Sequence, residues 1–150
     1  MSYCHTQRGS LHHLLYFTAA LLAGGAWFCR DELPLAIILA GTGVVLVPFA
    51  WAFGTLTVED EGDRLLLQYG PLPLFWKRIA YAEIIGVEPD RSRLIDGWGI
   101  HWIPGRGTTY NLWGFDCVKL TLGKRIIRIG SDDVENLVEF LRTKIQQPQD

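Results

Sequence analysis

The stretch Leu33–Phe53 carries no charged side chain, and the next one toward the C-terminus is Glu59. An apolar run of about 20 residues, rising about 1.5 Å each, is long enough to cross a hydrocarbon core of about 30 Å. One Lys, Arg or Asp at its centre would cost roughly 2.5–3.5 kcal/mol on insertion, so the lack of any charge is the signal. The run reads as a transmembrane helix over about 33–53. It divides the chain into a membrane part, residues 1–54, and a water-soluble part, residues 55–150.

A second apolar segment, Leu11–Cys29, precedes it. Between Gly9 and Val58 the only charged residues are Arg30, Asp31 and Glu32, which join the two segments. This pattern predicts a helical hairpin with spans over about 11–29 and 33–53. Pro34 suits the first turn of the second helix, where its missing N–H costs nothing. Trp27 and Phe28 fall at one interface of such a hairpin, and Tyr16, Phe17, Trp51 and Phe53 at the other. Gly24-Gly25 and Gly41-Thr42-Gly43 would let the helices approach closely, or are simply tolerated in lipid. A cleaved signal peptide is the competing reading of the first segment: Arg8 precedes it and Ala23-Gly24-Gly25-Ala26 supplies small residues. Met1–Ser10 reads as a short polar tail.

Arg8, Arg64, Lys77 and Arg78 flank the hairpin on one side and Arg30 lies on the other. The positive-inside rule therefore leans toward a cytoplasmic soluble part. Cys4, Cys29 and Cys117 are an odd set without a CxxC spacing, which makes neither a disulfide framework nor a zinc site and suits a reducing compartment. A net charge of −2 on 150 residues argues against nonspecific nucleic-acid binding.

From Thr55 the periodicity changes to two. Leu56 and Val58 alternate with threonines. Leu65, Leu67 and Tyr69 share a face, as do Val118, Leu120 and Leu122, and then Ile127 and Ile129. Phe75–Ala80 and Ile84–Glu88 read as strands joined at Tyr81–Glu83. Trp98, Ile100 and Trp102 alternate up to the turn Pro104–Gly107, and Thr108–Trp113 returns. Many short strands at regular spacing predict an antiparallel barrel or sandwich. The chain closes with an amphipathic helix over about 132–145. Val134, Leu137, Val138, Leu141 and Ile145 form its apolar stripe, Asp132 stands as its cap, and Glu135 follows three residues later. The fold class is thus α+β: a membrane hairpin, then a β domain closed by one helix.

Asp96-Gly97-Trp98-Gly99-Ile100, Tyr110-Asn111, Gly114–Val118 and Arg125–Asp133 resemble the pattern of small bacterial membrane proteins that carry one or two spans and a bacterial pleckstrin-homology-like (PH-like) domain. The resemblance covers roughly Thr55–Ile145. It implies a PH-like barrel and implies little about activity. His101 stands where that pattern has a basic residue.

Enzyme signatures are absent: there is no GxSxG, HExxH, Walker loop or GxGxxG after a strand. No cofactor or metal is expected. His5, His12 and His13 either bind a metal beside Cys4 or form an interfacial polar edge, and adjacent histidines point different ways on a helix. Asp96 is a lone acid with no second group placed beside it. The densest aromatic patch is Trp98–Trp102 with Trp113 and Phe115. Trp98 and Trp102 are expected to fill the core, while Trp113 and Phe115 are candidates for a partner surface. Lys77, Arg78, Arg106, Lys124 and Arg125 are candidates to face anionic lipid. Glu59–Asp63, an acidic turn, stands where eukaryotic PH domains place phosphoinositide-binding basic residues, and would repel phosphate. The expectation is a non-enzymatic, membrane-anchored interaction module that docks a protein partner or a second copy of itself. The alternative is a lipid or envelope-stress sensor working through its basic strand edges.

Overall fold

The computed structural model describes residues 2–71, 74–93, 95 and 97–146, and of Leu11 the backbone alone. Asp96, singled out above, lies outside the described residues. Among these are three α-helices and nine strands in an α+β arrangement. Strand β1 (Cys4–Arg8) precedes helix α1 (Leu11–Phe28) and helix α2 (Leu33–Ala52). Strands β2 (Thr55–Asp60), β3 (Arg64–Tyr69) and β4 (Phe75–Ala80) follow. A single 3-10 turn at Tyr81–Glu83 leads into β5 (Gly86–Arg91). The chain continues through β6 (Gly99–Ile103), β7 (Gly107–Asn111), β8 (Asp116–Leu122) and β9 (Arg125–Gly130) to helix α3 (Val134–Gln146).

One described helix, α2, is long and apolar enough to cross a membrane, with a mean hydropathy of 2.2. It packs against α1. A Cβ added at Gly43 would lie 3.2 Å from the Ala19 carbonyl oxygen and 3.5 Å from Leu22 Cβ, and one at Gly25 would lie 3.5 Å from Leu39. Those two glycines mark the line of closest approach. Gly24 and Gly41 face open space.

The strands do not close into the expected barrel. They form two sheets, in the orders β1-β2-β3-β4 and β5-β8-β9-β7-β6, with no ladder between them among the described strands. Pairing is antiparallel except for β7 with β9. The 3-10 turn carries the chain out of the first sheet at β4 and into the second at β5, which leaves the edges unjoined. Leu56, Val58, Leu65, Leu67 and Tyr69 of one sheet meet Val118, Leu120 and Ile129 of the other, all buried as the alternation requires. Leu137, Val138 and Leu141 complete the core where α3 packs on β5 and β8.

The polar N-terminal tail is not a tail. It is β1, paired with β2 from Cys4↔Glu59 to Arg8↔Thr55. Its inward residue is Gln7, which is buried. The Gln7 amide donates to the Gly130 carbonyl at 3.2 Å, and its oxygen accepts the Asp132 N–H at 3.1 Å. Tyr3 stacks on Phe140 of α3 at 5.2 Å and donates to Asp133 at 3.1 Å. The start of α3 differs from expectation accordingly. Asp132 is drawn away by His5 Nε2 at 2.6 Å, and Asp133 caps instead: its carbonyl accepts the Leu137 N–H and its carboxylate accepts from Asn136. Two acids in succession compete for one cap, and the strand missed in the sequence decides between them.

Ion pairs knit the loops. Asp60 accepts from Lys144 at 2.9 Å, from Tyr81 at 2.8 Å and from the Gly62 N–H at 2.9 Å. Burial alone would raise this carboxyl, but those hydrogen bonds outweigh it and hold Asp60 below its ordinary value. Asp90 is held down in the same way, burial being outweighed by Arg128 at 2.8 Å and by the Arg91 N–H.

Two outcomes follow from these contacts. Gln7→Leu leaves the Gly130 carbonyl and the Asp132 N–H without partners, so unfolding of the full chain in detergent should become easier by about 1–3 kcal/mol. A depressed carboxylate stabilises the fold above its unfolded pKa, about 3.9 for Asp, and that contribution is lost as pH falls through the lower folded value. Tm should therefore fall steeply below about pH 4, and Asp60→Asn should lower Tm at pH 7 while flattening that acid slope.

Candidate functional site

Consecutive helices return the chain to its starting side, so the end of β1 and the start of β2 meet. The Gly9 N–H donates to the Gly54 carbonyl at 3.3 Å, directly beyond the Arg8↔Thr55 pair. The β domain is thereby fastened to both ends of the helix pair. Phe53, just past α2, packs on Tyr69 at 5.3 Å and on Phe75 at 5.6 Å, and Phe75 reaches Phe49 at 6.1 Å. The buried Tyr69 hydroxyl can donate to Gly99 O at 3.3 Å or Asn111 O at 3.2 Å, so it bridges to the second sheet. Gly70 has a φ of +68°, and a Cβ there would lie 2.7 Å from Ala52 Cα. Only glycine lets the β3–β4 turn sit this close to the end of α2.

These contacts define the end of the domain that faces α1 and α2. The register places the starts of β2, β4 and β6 and the ends of β3, β7 and β9 there. Leu74, Trp76, Ile95, Trp98 and Trp113 are all exposed at or near this end. Trp98 and Trp113 stack with ring centroids 4.6 Å apart and planes 23° apart. Phe115 is half-buried and lines a small cavity of about 70 Å³ with Arg93, Gly97 and Trp98.

The expectation that Trp98 and Trp102 fill the core does not hold. Trp98 is 38% exposed and Trp102 is 70% exposed. The reason is position: β6 is the edge strand of its sheet, and Ile100, His101 and Trp102 are all exposed. Alternation on an edge strand tells only which residues share a face, not whether anything covers that face.

The basic residues divide by partner. Arg78 forms a two-point pair with Glu61 at 2.6 and 2.9 Å and lies over Trp76. Arg125 pairs with Glu83 at 2.9 Å. The Arg106 carbonyl accepts from Arg128. Lys77 and Lys124 have no ion-pair partner among the described residues. Both line a groove of about 350 Å³ together with Arg125, Trp102 and Tyr110. The groove runs along the flank, from Lys77 in mid-strand to the β8–β9 turn at the end remote from the helices.

A larger open cleft of about 690 Å³ lies where the helices meet the first sheet, with Arg8, His12, His13, Tyr16 and Trp51 in its wall. The sequence offered two readings of its histidines, metal ligands or an interfacial polar edge. Among the described residues no group of three or more His, Cys, Asp or Glu side chains is placed to hold a metal ion. What brings Arg8 to the cleft is β1, which the sequence did not announce.

In comparisons with known proteins, no family model and no curated protein matches the chain.

Trp113→Ala removes one exposed stacking partner worth about 0.5–1.5 kcal/mol. The variant should stay folded in detergent with a Tm lowered by only a few degrees and with the near-ultraviolet circular dichroism of the tryptophan pair weakened. Global unfolding would instead make Trp113 part of the core.

Proposed function

We propose that the chain is a non-catalytic, membrane-anchored docking module. Its PH-like β domain is held at the cytoplasmic face by a two-span hairpin, and its basic flank groove receives an acidic segment of a protein partner. The observation that carries this reading is the division of the surface: exposed aromatic and aliphatic side chains gather at the end facing α1 and α2, and two unpaired lysines sit in the groove.

Several features support the membrane placement. Leu14, Phe17 and Leu21 of α1 are exposed, which suits lipid contact and a second span. Arg30 lies over Trp27, 5.1 Å from the ring centre, beside the connecting loop. Cleavage within Ala23–Ala26 would remove β1 and the Tyr3, His5 and Gln7 contacts with it, which favours a retained first helix over a signal peptide. No disulfide joins Cys4, Cys29 and Cys117, which suits a reducing compartment. With the hairpin in the bilayer, Trp98 and Trp113 fall at headgroup level, where tryptophan is enriched. Trp113 and Phe115 then serve as a membrane rim rather than as a protein surface.

The groove suits an acidic partner on charge grounds. Lys77 and Lys124 carry charge that no carboxylate of the described chain neutralises, and Trp102 beside them offers a large exposed ring of the kind that anchors interfaces. Phe53 and Gly54 alone separate α2 from β2, so the domain stays close to the membrane, which raises the local concentration of any membrane-bound partner.

A photo-crosslinking amino acid placed at position 102 or 113 of the full chain in membranes tests the division. Position 113 should yield lipid adducts. Position 102 should yield protein adducts that disappear with Lys77→Glu and Lys124→Glu. An adduct of twice the chain's mass at position 102 would assign the groove to self-assembly, and no protein adduct there would end the docking reading.

A further inference from the structure

We propose that the cleft between the helix pair and the first sheet binds the headgroup of an anionic phospholipid, with Arg8 and His13 contacting the phosphate. The inference rests on the membrane placement above and adds a ligand site to it.

The cleft has the size and polarity for this occupant. Its volume of about 690 Å³ falls within the range of small-ligand sites, and among the described residues no carboxylate lines it. Arg8 is exposed at the end of β1 and has no ion-pair partner among the described residues. A guanidinium offers a planar fork of donors that matches phosphate oxygens. His12 and His13 stand beside it with ring centroids 3.9 Å apart. His12 Nδ1 lies 2.7 Å from the Gly9 carbonyl oxygen. A carbonyl can only accept, so Nδ1 holds the hydrogen and the ring is pinned in place. The exposed His13 ring is left to turn toward a ligand.

Ser10 adds polar capacity. It precedes α1, yet its side chain makes no capping hydrogen bond, and the first turn of α1 contains no acid. The hydroxyl remains available, and the uncapped N–H groups favour an anion alongside the Arg8 charge.

The opposite wall decides between a lipid and a free anion. Tyr16 of α1 and Trp51 of α2 complete the cleft, both exposed and both on the apolar helices. A phosphate held at Arg8 would have a route for its acyl chains down the outside of the helix pair. The polar part of the cleft thus meets the apolar surface where a bilayer changes from headgroup to hydrocarbon. The basic strand-edge residues Arg78 and Arg125 have carboxylate partners, whereas Arg8 has none among the described residues.

The test is native mass spectrometry of the full chain in neutral detergent, with phosphatidylglycerol or phosphatidylcholine added in turn. Phosphatidylglycerol should be retained at least about fivefold more than phosphatidylcholine, the factor that one near-surface cation supplies. Arg8→Gln and His13→Asn should each reduce that preference without changing Tm, and together should abolish it. Arg64→Gln removes one charge at the remote end and should leave it intact. Equal retention of the two lipids, a preference that survives the double substitution, or an equal loss in Arg64→Gln would overturn the proposal. Reconstitution into nanodiscs separates the two readings. A chain that inserts but shows no preference sinks the lipid site alone, and a chain that fails to insert sinks the membrane placement and the site together.

Discussion

The ladder between β1 and β2 is the contact on which the rest of the structure depends. It joins the residues before α1 to the residues after α2, so the helix pair becomes a closed loop rising from the edge of a sheet. A hairpin tethered at one end would swing about its linker. Tied at both ends, and braced by Phe53 against Tyr69 and Phe75, it has a defined direction relative to the domain. The same strand carries Tyr3, His5 and Gln7 to the start of α3, so one short segment couples the helix pair, the first sheet and the closing helix.

That coupling sorts the surface. At the end nearest the helices Leu74, Trp76, Trp98 and Trp113 stay exposed. Toward the remote end, cations and carboxylates pair across loops, as in Lys144 with Asp60 and Arg78 with Glu61. The exposed pairs among them, such as Arg78 with Glu61, contribute little to stability individually, whereas the Asp60 side chain is buried. Their consequence here is that they neutralise most of the basic character seen in the sequence. Among the described residues Arg8, Arg30, Lys77, Lys124 and Arg142 have no ion-pair partner, and the proposed contacts fall on three of them, Arg8 by the cleft and Lys77 and Lys124 in the groove.

Much of the core was legible from alternation. Leu65, Leu67 and Tyr69, then Val118 and Leu120, are buried because a strand with one apolar face has one way to satisfy it. The apolar stripe of α3 was legible for the same reason. β1 was not, because its inward residue is Gln7, and a buried amide is stable only where a specific carbonyl and N–H wait for it. Trp102 misled in the other direction: its alternation is that of a core strand, but β6 lies at an edge. Asp132 and Asp133 could each cap α3, and the choice fell to His5, 127 residues from Asp132 in the chain.

The sequence by itself determined most of the elements, β1 excepted. A charge-free run of about 20 residues is long and apolar enough for a membrane-length helix, and period-two and period-3.6 patterns point to strand and helix respectively. These are local constraints, set by backbone hydrogen bonding and by which side chains share a face. Tertiary structure alone decided how the elements join: two open sheets instead of a barrel, a polar tail turned into a strand, and one aspartate as cap instead of its neighbour. It also decided which charges were left without partners. Those outcomes depend on groups far apart in the chain meeting in space, and no periodicity in the sequence records such a meeting.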